Sequence, residues 1–369
     1  MKIVADDKIP YLKGVFEPFA EVAYLPGGKI SPADLADADV LITRTRTKCN
    51  KALLIGSRVK LVATATIGID HLNTAELDEL GIVWRNAPGC NADSVKNYIA
   101  SALATLDTDL TGKTLGIIGV GHVGKKIAGV GRAFGMNVLL NDPPRAEAEG
   151  RNGFTELDEL LEKSDVVTLH VPLEIDSKYP TLNMADRSFF DRMKQGAYFF
   201  NSCRGEVMVK EAFLAARNSG KIAGALIDVW PEEPDLDPAL LAAVEIGTPH
   251  IAGYSKEGKA NGTAACVRTA AEMFDIAELK NFQLPELPAP VYPEVIELDN
   301  TLPIWKQIAS AVLHVYDVRR DAAALKAAPN EFEALRGSYW NRREFSAYTV
   351  KNAAKDALAA LESLGFKIG

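Results

Sequence analysis

The stretch that decides this chain is Gly119-Val120-Gly121-His122-Val123-Gly124. Before it, Leu115-Gly116-Ile117-Ile118 predicts a short buried strand. After it, Lys125-Lys126-Ile127-Ala128-Gly129-Val130 opens a helical pattern. A second apolar strand, Asn137-Val138-Leu139-Leu140, runs into Asp142, about 20 residues past the glycines. Glycines alone also mark plain turns. Strand, glycine turn, helix, strand and acid in this order make a dinucleotide-binding signature. The turn lets the backbone approach a pyrophosphate and puts a helix N-terminus on it. The expected cofactor contacts are Gly119, Gly121, His122, Val123 and Gly124. A carboxylate at Asp142 accepts from a ribose 2′-OH and repels a 2′-phosphate, so NAD is expected rather than NADP.

A chain of 369 residues is too long for one core and predicts two or three domains. Its formal charge of −8 argues against nucleic acid or an anionic membrane as a main partner. An anionic substrate therefore needs a local basic pocket. Cys49, Cys90, Cys203 and Cys266 show neither CxxC nor metal-ligand spacing, which predicts no metal and a reducing cytosol. Only three apolar residues separate Met1-Lys2 from Asp6-Asp7, and no apolar run approaches membrane length. A cytoplasmic protein without signal peptide is the expectation.

The coarse pattern is two successive α/β units and a tail. Residues 3–5, 40–42, 61–63 and 82–84 predict strands of the first unit. The second is expected to hold strands at 115–118, 138–140, 166–169, 198–200, 225–227 and 244–246. Regular strand–helix alternation implies two doubly wound parallel-sheet domains of Rossmann or flavodoxin-like type. Residues 91–106 are apolar at helical spacing and are expected to cross from the first unit to the second. A Pro-rich linker is expected at 283–293, including Pro285, and a small α+β domain after it. In that tail, Ile304, Ile308, Val312 and Val315 recur at helical spacing.

In an open parallel sheet, ligands bind outside the carboxyl ends of the strands. Three such ends of the second unit carry Asn201-Ser202-Cys203-Arg204-Gly205, Asp228-Val229-Trp230-Pro231-Glu232-Glu233-Pro234 and Thr248-Pro249-His250-Ile251-Ala252-Gly253-Tyr254. A guanidinium, a carboxylate and an imidazole on one edge suit oxidation of a 2-hydroxy acid. Histidine is the natural base near neutral pH, and a carboxylate beside it orients the ring and stabilises the imidazolium. Arginine holds a substrate carboxylate bidentately. The expected roles are His250 as acid/base, Glu233 as its partner and Arg204 as clamp.

Taken in order, GVGHVG (119–124), Asp142, NSCRG (201–205), DVWPEEP (228–234) and TPHIAGY (248–254) resemble the D-isomer-specific 2-hydroxyacid dehydrogenases. Longer stretches resemble a branch of that family with a phosphorylated substrate: TRTRTK (43–48), ATATIGIDH (63–71), NAPGCNADSV (86–95), NDPPRA (141–146), IGTPHIAGYSKEGKANGT (246–263), HVYDVRRD (314–321) and YWNRREFSAY (339–348). The resemblance covers nearly the whole chain. It implies that Arg204, Glu233 and His250 are catalytic, and that Asp142, Asp228 and Gly253 contact NAD. It implies substrate contacts at Thr45, Thr66 and Tyr254. It also implies a substrate-binding domain at 1–93 and 255–284, an NAD-binding domain at 94–254, and a dimerisation domain at 286–369 that makes a homodimer. Two departures stand out. Thr45 and an extra base, Arg46, replace the usual serine-containing run, and Val171 lacks the hydroxyl that often follows the histidine of the segment 170–173.

Each residue also has a plainer reading. Arg44, Arg46 and Lys48 would be a solvated face in most proteins. After a strand end in an acidic chain they are read as a phosphate clamp. Glu232 competes with Glu233, which is preferred because it directly precedes proline as in the family. His122 is read as loop filler rather than catalyst, His71 and His170 as structural, and Cys203 as a buried small residue rather than a nucleophile. Two other functions fit the same motifs: a dehydrogenase for another 2-hydroxy acid such as 3-phosphoglycerate, and a non-catalytic NAD(H)-sensing protein.

Overall fold

The computed structural model describes every residue except residue 285, so Pro285 of the expected linker lies outside the described residues. Contacts divide the chain into two units, Met1–Asn91 with Ser255–Ala289 and Ala92–Tyr254 with Pro290–Gly369.

The first unit is built on a parallel sheet of β1 (Lys2–Asp6), β2 (Glu21–Leu25), β3 (Val40–Thr43), β4 (Leu61–Thr64) and β5 (Val83–Arg85), in the order β2-β1-β3-β4-β5. Helices cover both faces, so the central strands are apolar throughout and split by alternate residues. Ile3, Ala5, Val40, Ile42, Leu61 and Ala63 enter one core, while Val4, Leu41 and Val62 enter the other. The helix Lys256–Met273 returns late in the chain to fill the first of these cores with Cys266, Val267, Ala270 and Ala271. Its Gly262 has the Ala65 carbonyl where a Cβ would stand, at 2.5 Å.

The second unit carries β6 (Thr114–Ile118), β7 (Asn137–Asn141), β8 (Val166–Leu169), β9 (Ala197–Asn201), β10 (Ile222–Ile227) and β11 (Ile246–Gly247). The order β11-β10-β9-β8-β6-β7 is again all parallel. Its topological switch lies between β6 and β8, the place where doubly wound sheets bind ligands. Here too the faces alternate: Phe200 and Leu226 point to one core, Phe199, Ala225 and Ile227 to the other. Residues 290–369 belong to this unit. They hold a small parallel sheet of β12 (Val295–Glu297), β13 (Thr349–Lys351) and β14 (Lys367–Ile368). In the helix Ile304–Val315, Ile308, Val312 and Val315 share a core with the helix Ala92–Ala104.

The structure departs from the expected strands in a few places. β2 was not anticipated, because it is an edge strand with no buried residue. β5 lies one residue later than 82–84. The last strand is Ile246–Gly247 rather than 244–246, because the Glu245 carboxylate takes the Ala225 N–H and the ladder starts one residue further on. Ile304 is exposed instead of joining its helical stripe.

Candidate active site

The glycine turn closes β6 at the switch point. Gly119 has φ +88°, and a Cβ there would lie 2.5 Å from the His170 carbonyl at the end of β8. Only glycine tolerates that conformation and approach together. A Cβ at Gly124 would lie 2.0 Å from the Gly119 carbonyl, so this glycine lets the helix His122–Ala133 start tight against the strand. Gly121, the N-cap, has no protein atom within 4 Å of its Cβ position. The first and third glycines thus serve the protein's own packing, and the second leaves open space beside exposed helix-end N–H groups, the arrangement a pyrophosphate requires.

Asp142 follows β7. Its Oδ2 accepts the Val120 N–H at 2.8 Å, and its Oδ1 accepts the Arg145 N–H at 3.1 Å, capping the helix Pro143–Glu149. The carboxylate is therefore fixed beside the glycine turn and stays half-exposed.

Beyond β10 and β11 lies a denser network. Asp228 is buried, and its carboxylate accepts the Thr248 hydroxyl (2.6 Å), the Ile251 N–H (2.8 Å) and the Ala252 N–H (2.8 Å). Burial pushes its carboxyl above the ordinary value, against the opposing pull of His250 and these three bonds. His250 Nδ1 lies 2.7 Å from Glu233 Oε2, and Glu233 Oε1 accepts the Trp230 N–H at 2.8 Å. With one ring nitrogen held by a carboxylate, the other is the atom left for chemistry. Of the two neighbouring acids it is thus Glu233 that meets the imidazole. Glu232 lines a separate pocket of about 570 Å³ with Asp235, Asp237 and Glu333. That acidic lining repels an anionic substrate.

Arg204 follows β9. Its Nη1 donates to the Cys203 carbonyl at 2.7 Å, and its own carbonyl accepts from Asn201 Nδ2 at 3.0 Å. A Cβ on the adjacent Gly205 would lie 2.2 Å from the Trp230 carbonyl carbon. Glycine is what brings the Arg204 turn against the backbone that donates to Glu233. Burial pushes the Cys203 thiol up to about 11, which removes it as a nucleophile near neutral pH. His170, bonded to Thr168 at 3.0 Å, is driven down to about 3 by burial and stays neutral.

In the first unit, Thr43 and Thr64 are paired across β3 and β4. Thr45 and Thr66 each lie two residues further on, at the same sheet edge. Thr66 Oγ1 bonds Thr64 Oγ1 at 2.9 Å and donates to the Gly68 carbonyl at 2.9 Å. Arg44 Nη1 donates to the Lys8 carbonyl at 3.0 Å, while Thr45, Arg46 and Lys48 are exposed. His71 bonds Thr64 at 3.0 Å.

The tail also reaches the second unit's edge. Arg336 donates to the Tyr254 hydroxyl at 3.3 Å and lies over its ring at 5.8 Å. Arg342, fully buried, donates to the Ala252 carbonyl at 2.6 Å. Neither contact was anticipated. Arg342 stands next to Arg343 in the sequence, and nothing local marks which of the two is buried.

Residues 83–252 match the family model described as D-isomer specific 2-hydroxyacid dehydrogenase, NAD binding domain, and residues 287–365 match a domain of unknown function. The chain belongs to the D-isomer-specific 2-hydroxyacid dehydrogenase family. It is 47% identical over 355 residues to an erythronate-4-phosphate dehydrogenase of Bacteroides fragilis, covering 95% of this chain and 99% of that one. To an erythronate-4-phosphate dehydrogenase of Citrobacter koseri it is 41% identical over 376 residues, covering 99% and 98%. A solved D-lactate dehydrogenase of Aquifex aeolicus, in complex with NAD and lactic acid, is 25% identical with a TM-score of 0.63, over 78% of this chain and 100% of that chain. NAD is the cofactor of this family's nucleotide-binding domain, and the space at Gly121 with the fixed carboxylate of Asp142 fits it.

Proposed function

We propose that this chain oxidises 4-phospho-D-erythronate to 2-oxo-3-hydroxy-4-phosphobutanoate with NAD, as a step in pyridoxal 5′-phosphate biosynthesis. The observation that carries the reading is the 2.7 Å bond between His250 and Glu233, beyond the carboxyl ends of the sheet that also bears Arg204 and the glycine turn. Likeness to the two erythronate-4-phosphate dehydrogenases over nearly the whole chain supports the choice of substrate.

The geometry supports the following roles. Glu233 holds Nδ1, so His250 Nε2 takes the proton of the C2 hydroxyl. The C2–H bond breaks with its electron pair leaving as hydride while C2=O forms. NAD held at the glycine turn supplies the hydride acceptor. Arg204 grips the C1 carboxylate as a fork. Gly119, Gly121, His122, Val123, Gly124, Asp142, Asp228 and Gly253 are the proposed cofactor contacts. Thr45, Thr66 and Tyr254 are proposed for the substrate, with Arg44 and Arg46 for its phosphate.

NADH absorbance after adding 4-phosphoerythronate or 3-phosphoglycerate tests the reading. Turnover of the first supports it. Turnover of 3-phosphoglycerate alone, or NADH binding without turnover of either, overturns it.

Two further parts of the reading concern state and place. A homodimer through residues 286–369 is supported by exposed Val291, Val295, Leu302, Ile304 and Ile368 in that segment. Sedimentation as a monomer at micromolar concentration would refute it. Among the described residues no helix is long and apolar enough to cross a membrane, and the cytoplasm is the proposed compartment.

A further inference from the structure

His250 has φ +55°. A left-handed backbone at a bulky, non-glycine residue is unfavourable and persists only where the surroundings over-determine it. The loop that carries it is fixed at two neighbouring peptides, since the Ile251 and Ala252 N–H groups both end on Asp228. On the far side of that loop the Ala252 carbonyl accepts the Ser94 hydroxyl at 2.9 Å and a second donor that comes from the tail.

The contacts close into a circuit. Arg342 Nη2 donates to the Ala252 carbonyl at 2.6 Å. The Ala252 N–H donates to Asp228 Oδ2, and Thr248 Oγ1 donates to Asp228 Oδ1. Because the Thr248 hydroxyl spends its proton there, the Tyr98 hydroxyl is the donor in the 2.6 Å bond between them. The Tyr98 ring lies 6.3 Å from the Tyr316 ring, and the Arg342 guanidinium lies over Tyr316 at 4.5 Å. Arg342 also reaches Ser94 on the helix Ala92–Ala104. All six residues of the circuit are buried, and two of them, Arg342 and Tyr316, belong to the tail.

We propose that Arg342 is a positioning residue of the active site, through which the C-terminal segment fixes the loop bearing His250 and the backbone at Ala252–Gly253. The tail then has a task in its own chain's catalysis besides any part in assembly. A fully buried guanidinium is a poor source of net stability, and Arg342 leaves its Nε without an acceptor. Its value here is geometric: a planar fork stacked on the Tyr316 ring aims its Nη2 at both the Ala252 carbonyl and the Ser94 hydroxyl. Arg336, which bonds Tyr254 from the same segment, acts in the same direction.

The inference rests on His250 being the acid/base, so the test has one arm that needs no turnover. Full-length Arg342→Lys keeps the charge and loses the fork. In the NAD-free protein, amide hydrogen exchange should rise about tenfold or more at residues 248–254 and stay unchanged in β8 and β9. In turnover, kcat should fall about tenfold to a hundredfold, with a larger deuterium isotope effect for substrate labelled at C2. That effect does not depend on how much protein is folded. Tyr316→Leu, which removes the stacked ring and leaves the charge, should loosen the same loop and serves if the lysine variant fails to fold. Unchanged exchange at 248–254 overturns the proposal. So does a uniform rise throughout the unit, which would mark Arg342 as a mere stabiliser. Faster local exchange in a protein whose wild type turns over no 2-hydroxy acid would leave the circuit standing and overturn the catalytic reading instead.

Discussion

Glu233 Oε2 and His250 Nδ1 stand 2.7 Å apart although the two residues follow different strands, β10 and β11. The bond joins two loops that parallel neighbours bring to the same edge. It also sets the tautomer of the ring without help from a ligand.

That pairing has a pH signature. Burial alone raises the Glu233 carboxyl, but the bond and charge of His250, with the Trp230 N–H and Arg336, hold it below its ordinary value of 4.5. A carboxyl held down in the fold stabilises the protein fully above its ordinary value, and that stabilisation is lost as pH falls through the depressed one. Glu233→Gln removes the titration. Its thermal midpoint should therefore decline less steeply than that of the wild type between about pH 5 and 3. Calorimetry across this range reads the difference, and parallel slopes would contradict the pairing.

His250→Ala should lower kcat by about 10²–10⁴ and leave NADH affinity nearly unchanged. Steady-state rates together with a fluorescence titration separate the two. Survival of turnover would remove His250 from the chemistry.

Asp142 both caps a helix and stands beside the glycine turn. Asp142→Ala should cost about 1 kcal/mol of stability and relax discrimination against NADP by about tenfold or more. The ratio of kcat/KM for NAD and NADP is the measurement. A variant as selective as the wild type would place the ribose elsewhere.

Two alanine substitutions in the same turn should part company. At Gly121 a methyl meets no protein atom, so Gly121→Ala should fold normally and lose NADH affinity. At Gly124 the methyl lies 2.0 Å from the Gly119 carbonyl. Gly124→Ala should cost about 1–3 kcal/mol of stability. Melting curves with and without NADH distinguish them, and similar behaviour of the pair would refute the assignment of open space to Gly121.

The sequence was most readable where burial on both faces makes strands apolar throughout. Residues 3–5, 40–42 and 61–63 show this, as does the run into the glycine turn. It was least readable at edges and over short pairings. β2 mixes glutamate with half-buried residues, and β12, β13 and β14 are two or three residues long and far apart in the chain. No period develops over so few positions. The meeting of Glu233 with His250 could be anticipated because both follow adjacent strands of one sheet. The Arg342 contacts could not, since a buried guanidinium in a charged segment has the same local sequence as an exposed one.

One feature of the first unit bears on how the molecule is made. The helix Lys256–Met273 supplies core residues to a sheet whose strands end at Arg85. On the ribosome, the N-terminal sheet must wait with one face only partly covered, by Ile9, Leu12 and Phe16, while some 170 further residues are synthesised (from 86 to 255). The six-stranded sheet of the second unit is complete by then, though its own core still awaits residues 290–369, so the N-terminal region of the nascent chain is where a chaperone would be needed longest.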